Sequence, residues 1–558
     1  VTTPLPIAAP LDDPLYYLAN FRSVLAWILS HHRDLLSRSE TDRLQQFDSL
    51  PRAAQALLVR LVMRKGTLFR LDKLNYPELG VPLDQALEPL FKAAWLDPQP
   101  VLALEDLFRL LTRRELVVVF ARRLEQSGLP SSVSKGAMRD ALTTQTLPPA
   151  PLHSWWPDTS TQLVEVTDTP LFERVRLLFF GNLRQSWSEF VLTELGHQRY
   201  EKVEFKRTSR AFQSRAEVDA YLHLQRCREA LEQEVSLAEV LAAIPSETAV
   251  NPWLESRRGR LLYALGHKAE RGGQLDLAIQ AYIQSSHSEA RVRWLRVLER
   301  QGQLTEAVEL AERSLASPVP AAQREAIERL LRRVARKLGR SAPVADPRPV
   351  IPVMDLGLPP LKDVSVEQAV ARYLTEPDTV LFYVENTLIN GLFGLLCWSA
   401  IYAPLPGAFF HPFHAGPADL YRDDFVTRRQ ALFDACLAAL DRGDYREYIV
   451  QTYEQKQGIA SPFVHWPSLD RTLLELALQC IPADHLKRMF RRLLEDPGQH
   501  RSGLPDLVQF WPEEGRYRLI EVKGPGDRLQ DNQRRWFDYC LAQDIPVLLC
   551  QVQWMEPE

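Results

Sequence analysis

The sequence predicts a multidomain protein, mainly α-helical in its N-terminal and repeat regions and ending in an α/β domain. Three observations carry this. At 558 residues the chain is too long for one ordinary core, and domains of roughly 100–200 residues imply about three or four units. Over most of the stretch from 14 to 340, apolar residues recur at three- and four-residue intervals, the period of a helix face. Beyond residue 500 the pattern changes: GLPDLVQFWPEEGRYRLIEVKGPGDRLQDNQRRWFDYCLAQDIPVLLCQV reads as strand, turn, strand, helix, strand.

Composition narrows the function classes. Hydrophobic residues at 46% and charged residues at 25% are those of a globular protein and exclude wholesale disorder. A net charge of −4 means that any polyanion is met by local basic faces and not by a global field. The six cysteines are scattered without CxxC pairs, which fits a reducing compartment and argues against structural zinc. The apolar stretch Gly391 to Ala403, closed by Pro404 and Pro406, is shorter than the roughly 20 residues of a membrane span; it reads as a buried helix, with no membrane partner.

Residues 1–13 are Pro-rich and read as a flexible lead-in, not a secretion signal. A helical N-terminal region, 14–150, follows, with runs such as LYYLANFRSVLAWIL and RAAQALLVRLVMR. Within it, at about 100–145, two amphipathic helices flank a Gly128-Leu129-Pro130 turn, and Lys135 heads a third. With Leu107, Leu111, Leu116 and Leu142 this resembles the SAP module, a small helical binder of the DNA backbone; a plain helical bundle is the alternative. Prolines in TLPPAPLHSWWPD then break the helical pattern.

The region 151–340 is again helical. Lys202, Lys206, Arg207, Arg210 and Arg215 interleave with Tyr200, Phe205 and Phe212; cations neutralise phosphates and aromatics stack on bases, so the segment suits DNA, or else is a solvated loop with core aromatics. GGQLDLAIQAY at 272–282 and QGQLTEAVELA at 301–311 align Gly273 with Gly302 and Ala278 with Ala307. They resemble tetratricopeptide repeats at an offset shorter than the usual ~34 residues, a surface for DNA or a protein partner. The last repeat helix, EAIERLLRRVARKLGR, sets Arg329, Arg332, Arg333, Arg336, Lys337 and Arg340 along one stripe, a DNA contact or a solvated face. A proline-rich linker, 341–360, leads into the last domain, 361–558.

The chemistry lies there. Asp506 opens the first C-terminal strand, and Glu521 and Lys523, two apart on the next, point to one face while Val522 points into the core. Two carboxylates and the Val522 carbonyl are hard oxygen ligands for Mg²⁺ or Mn²⁺, one ion or two; Lys523 reaches the same cavity, where it orients a water for attack on a phosphodiester. Glu385 is the lone charged residue between Asp378 and Asp419, set on a helix otherwise apolar or neutral. A buried carboxylate needs a cation partner, and a metal shared with Asp506 and Glu521 provides one; an Arg partner or an exposed helix end is the alternative. In PADHLKRMFRRLLED, capped by Asp484, Lys487, Arg488, Arg491 and Arg492 face one side as phosphate clamps or as a solvated face.

Pro505-Asp506, Glu521-x-Lys523, Gly524 and a following helix with Gln533, a supporting residue, and Trp536 resemble the VRR-NUC branch of the PD-(D/E)xK nucleases, whose fold is restriction-endonuclease-like. With the SAP-like module, basic segment and repeats, the whole chain resembles the Fanconi-associated nuclease family in its bacterial form. That resemblance implies metal binding by Glu385, Asp506, Glu521 and Val522, with Lys523 catalytic alongside Asp506 and Glu521. It implies a monomeric, structure-selective nuclease acting through a metal-activated water on branched or flapped duplex DNA, as 5′-flap endonuclease and 5′-to-3′ exonuclease in interstrand crosslink repair. It implies a cytoplasmic, nucleoid-associated place in a bacterium and a nuclear one in a eukaryote. A dimeric Holliday-junction resolvase and a repeat scaffold carrying a silent nuclease fold are the other readings; the helices between Glu385 and Asp506 look like insertions that block such a dimer.

Overall fold

The computed structural model describes residues 12–130, 132–145, 147–187, 198–233, 235–317, 319–341, 348–359 and 364–555. Residues 1–11 of the expected lead-in, and 342–347 and 360 of the expected linker, lie outside these. Two compact units divide the chain, Val1–His197 and Gln198–Glu558.

In the first unit, helices Tyr16–His31, Arg38–Asp48, Arg52–Val62 and Leu83–Lys92 supply a core in which Phe21 meets Phe47, Phe172 and Trp187. Ser37 and Glu40 start the second helix with a reciprocal cap. The domain boundary expected at residue 150 is not there. The prolines stop a helix, but Leu163–Val166 then becomes the middle strand of a small antiparallel sheet, between Leu68–Arg70 and Leu96–Asp97, and Thr169–Phe180 brings Phe172 into the same core. The SAP-like stretch forms four short helices, Leu104–Leu110, Arg113–Val119, Ala121–Gln126 and Lys135–Thr143, around buried Leu107, Leu111, Leu116 and Leu142.

In the second unit, helices Arg215–Glu232 and Leu237–Ala243 precede the repeat array: α1 (Pro252–Arg271), α2 (Leu275–Gln284), α3 (Ala290–Arg300), α4 (Leu304–Leu315) and α5 (Ala321–Lys337). The aligned Ala278 and Ala307 are both fully buried, as close helix packing requires, and Gly273 and Gly302 both take φ 77°, where a side chain is disfavoured. Phe212 is buried and packs edge-on to Tyr221, whereas Tyr200 and Phe205 are half-buried, Tyr200 edge-on to Phe413 and Phe205 against the core of the α/β domain.

The α/β domain is a five-stranded mixed sheet. Its strands are β1 (Val353–Leu358), β2 (Val380–Tyr383), β3 (Leu507–Trp511), β4 (Arg516–Lys523) and β5 (Val547–Trp554), ordered β1-β5-β4-β3-β2. β1, β5 and β4 run parallel and β4, β3 and β2 antiparallel. The expected linker is thus shorter than 341–360, because VMDLGL within it pairs with Leu549–Trp554 as an edge strand; its prolines, Pro349 and Pro352, precede the strand and leave its donors intact.

Alternation along β4 divides the core. Ile520 and Val522 face α6 (Val366–Leu374) with Ala369 and Val370. Leu519 faces the other layer, where Trp536 and Phe537 of α12 (Asp531–Ala542) pack with the helices inserted between β2 and β3. Those are α7 (Leu388–Leu396), α8 (Gln430–Arg442), α9 (Tyr445–Lys456), α10 (Arg471–Cys480) and α11 (Ala483–Glu495). Every residue of α7 is buried, as its apolar sequence requires, and no helix among the described residues is long and apolar enough to cross a membrane.

Ahead of α8, Asp419 accepts hydrogen bonds from both terminal nitrogens of Arg429 at 2.9 Å, with both side chains fully buried. Asp419→Ala leaves that guanidinium buried and uncompensated, so an unfolding midpoint lowered by the equivalent of about 3–5 kcal/mol is expected in a denaturant titration.

Candidate metal and DNA-cleavage site

Pairing between β3 and β4 ends at Leu507 opposite Ile520, so Glu521, Val522 and Lys523 run past the end of β3. Asp506, immediately before β3, turns its carboxylate onto that free edge, and its Oδ2 accepts the Val522 N–H at 2.9 Å. Glu521 is fully buried. Its Oε1 accepts from Lys523 Nζ at 2.7 Å and from Gln533 Nε2 at 2.5 Å, whereas its Oε2 is buried with no hydrogen-bond partner. The Gln533 Oε1 meanwhile accepts the Gln530 N–H at 2.9 Å and so caps α12. Gly503 (φ 86°) lets the approach to Asp506 pass against the first turn of α12: a Cβ there would stand 2.8 Å from the Asn532 carbonyl carbon.

Both carboxyls titrate well above the usual carboxylate range. Burial pushes Asp506 up to about 6, with Glu385 and Glu367 adding to the rise and the Val522 N–H and Lys523 opposing it. Burial and then the neighbouring Asp506 push Glu521 up to about 7 against the pull of Lys523. Two carboxyls so placed are short of positive charge.

Glu385 departs from expectation. It is exposed and sits in the turn between β2 and α7, not buried on a helix. β2 ends at Tyr383 and Asn386 takes φ 53°, a conformation asparagine tolerates. Glu385 accepts from the Tyr383 hydroxyl and, at 3.3 Å, from Asn386 Nδ2, while Asn386 Oδ1 accepts the Leu504 N–H at 3.1 Å. This tie brings the turn beside the approach to Asp506, a link the sequence reading missed although the Glu-Asn-Thr turn chemistry was visible. Among the described residues no three His, Cys, Asp or Glu side chains converge tightly enough to hold an ion as they stand. Glu385 is turned to Tyr383, and Glu521 to Lys523 and Gln533.

Most of the expected DNA-contacting cations have partners within the protein. Lys135 donates to the Leu111 carbonyl at 2.9 Å, closing a helix end. Lys206 lies 3.5 Å from Glu204, Arg215 pairs with Asp219, Arg210 is buried and Arg207 has an exposed side chain. On α11, Lys487 pairs with Asp441, Arg488 with Asp484 and Arg492 with Glu495, and Arg491 is exposed; Asp484 forms an ion pair and not the predicted cap, a position Pro482 occupies. On α5, Arg333 and Lys337 share Glu299, and Arg329 reaches Asp531, so the stripe is partly neutralised. Arg336 is exposed and Arg332 half-buried.

Family models match residues 15–97 to the FAN1 HTH domain, 101–155 to the Fanconi anemia-associated nuclease SAP domain and 440–554 to the VRR-NUC domain. A Fanconi-associated nuclease 1 homolog of Pseudomonas aeruginosa is 49% identical over 99% of this chain and 98% of its own length. The chain belongs to the Fanconi-associated nuclease family. Relatives from Arabidopsis thaliana and Homo sapiens are 25% and 24% identical over 96% of this chain, which spans 67% and 62% of their lengths. A crystal structure of paFAN1 bound to 2nt 5′flap DNA with gap matches 99% of this chain with a TM-score of 0.93 and 48% identity, and one with 1nt 5′flap DNA matches 98% with a TM-score of 0.91. The protein is therefore a structure-selective DNA nuclease, and its VRR-NUC domain makes it dependent on a divalent metal. Sequence periodicity found the helices of residues 15–97 but not their helix-turn-helix class, which is set by how they pack.

Proposed function

We propose that Asp506, Glu521, the Val522 carbonyl and Glu385 hold Mg²⁺ or Mn²⁺ for cleavage of flapped duplex DNA, with Lys523 as the catalytic base-side cation. The carrying observation is Glu521 Oε2, a buried carboxylate oxygen with no hydrogen-bond partner, beside a second buried carboxyl, Asp506, that also titrates above its usual range. The donor set is all oxygen, as these hard cations prefer. The carbonyl of a strand residue leaves by the same edge as its N–H, so Val522 presents its carbonyl on the edge Asp506 occupies. Glu385, exposed beside the Asp506 approach, reaches the ion by turning from Tyr383.

When bound, the cation supplies charge stabilisation to the scissile phosphate and lowers the pKa of an attacking water. The chain's own residues do the rest. Lys523 neutralises Glu521 and orients the attacking water toward the phosphorus. Gln533 fixes the Glu521 carboxylate so that one oxygen stays free. The exposed Arg336 and Arg491 take phosphates of the duplex.

The 5′-flap substrate rests on the paFAN1 structures bound to 5′flap DNA; a 5′-to-3′ exonuclease activity and a place in crosslink repair follow from the family, with the chain acting as a monomer. The test is cleavage by the full chain of end-labelled 5′-flap, 3′-flap and four-way-junction DNA in Mg²⁺, Mn²⁺ or EDTA. Cutting confined to the metal-containing reactions and strongest on the 5′ flap is expected. Symmetric cuts in the four-way junction, with none at the flap, would transfer the protein to the resolvase reading.

A further inference from the structure

We propose that the last helix of the repeat array positions the nuclease site by gripping the first turn of α12, with Arg329 and Glu325 as positioning residues for Glu521. The inference rests on the metal-site reading above and adds to it a coupling between two parts of the same unit.

The first turn of α12 touches β4, which carries Glu521, and the loop that leads to Asp506. Gln533 holds Glu521 Oε1 at 2.5 Å, and the backbone at Asn532 and Gln533 abuts Gly503 so closely that no side chain fits. The outward side of the same helix is tied to α5. Arg329 donates to Asp531 at 2.7 Å, and Arg535 donates to Glu325 at 3.2 Å. Glu325 is the hub: it also lies 3.4 Å from Arg329 and 2.5 Å from Arg348. A displacement of α5 thus moves Asp531 and Arg535, and with them Gln533, two residues along from Asp531.

Ion pairs as exposed as Arg329 and Asp531, at 45% and 59%, contribute little to stability. What they fix is the placement of α12. Partners that orient a metal-ligating side chain change metal affinity or activity by about 10–100-fold when lost, and the pairs on α5 sit one link further out. The arrangement also gives part of the α5 stripe a use other than DNA contact.

The test uses the full chain carrying Arg329→Glu, Asp531→Arg, or both, with Asp506→Ala as a reference. Five quantities are measured: kcat and KM on 5′-flap DNA, Mn²⁺ affinity by calorimetry, DNA affinity in EDTA, and the thermal midpoint. Each single variant is expected to lower kcat about tenfold and to weaken Mn²⁺ binding several-fold. DNA affinity and the thermal midpoint should stay unchanged, and the reciprocal exchange should restore both lost quantities. Unchanged kcat and Mn²⁺ affinity in the single variants overturns the proposal. So does weakened DNA binding that the double variant fails to restore, which makes Arg329 a phosphate contact. Asp506→Ala separates the two readings: if it cuts like wild type the metal site itself is wrong, whereas if it is inactive beside fully active single variants only the coupling fails.

Discussion

Asp506→Ala and Lys523→Ala are each expected to lower kcat on 5′-flap DNA by about a thousandfold or more, and to part company in metal binding. Loss of a ligand removes the charge stabilisation and water activation that the cation supplies, several kcal/mol of barrier. Asp506 also accepts the Val522 N–H, so the alanine variant frees the strand edge that presents the Val522 carbonyl. Calorimetric titration of Asp506→Ala with Mn²⁺ should show the site heat lost.

Lys523 differs because it is a cation beside the ligands: its ammonium lies 2.7 Å from Glu521 Oε1. Removing it takes away a like charge from the metal's surroundings, so above pH 8 Lys523→Ala should bind Mn²⁺ at least as tightly as wild type while cutting poorly. Lys523→Arg should recover little, since a planar fork does not replace a compact ammonium. Wild-type cleavage by either alanine variant, or loss of Mn²⁺ binding on removing Lys523, would overturn the division of roles.

Parts of this site were legible in the sequence because they follow from local geometry. Two charged residues separated by Val522 on a strand share a face by its period of two, and Glu521 and Lys523 do meet. The expected order of strand, strand, helix and strand is the one found, at Leu507–Trp511, Arg516–Lys523, Asp531–Ala542 and Val547–Trp554. Glu385 was placed on a helix and lies in a turn, because an apolar run around one carboxylate reads the same whether that residue lies within a helix or at the turn before it. The partners of the cation stripe on α5 were hidden for a different reason: apart from Glu325, four positions before Arg329, its anions Glu299 and Asp531 come from other elements, whereas sequence inspection weighs neighbours at three and four positions. Likewise Leu163–Val166 joins a sheet whose other strands lie some 70–100 positions earlier, and no local pattern signals that return.

The pH response follows from the two buried carboxyls and has opposite signs with and without metal. Asp506 rises from 3.8 to about 6 and Glu521 from 4.5 to about 7. Between about pH 4 and pH 7 the folded, metal-free protein therefore holds protons that the unfolded chain has released. Stability falls with pH wherever the folded state binds more protons. This contribution is fully present below the unfolded values near 4 and is lost as pH rises through 6 and 7. Mn²⁺ takes the deprotonated carboxylates, so its binding releases protons and strengthens over the same interval. The rise in thermal midpoint on adding Mn²⁺ should widen steadily from pH 5 to pH 8. At subsaturating metal, kcat/KM on 5′-flap DNA should climb steeply between about pH 6 and pH 7, and raising Mn²⁺ should carry that limb to lower pH. A limb that ignores metal concentration, or a Mn²⁺-induced shift in midpoint equal at pH 5 and pH 8, would mean that Asp506 and Glu521 are not the ligands. The competition between proton and cation for the same two oxygen pairs is what ties their raised pKa values to the cleavage reaction.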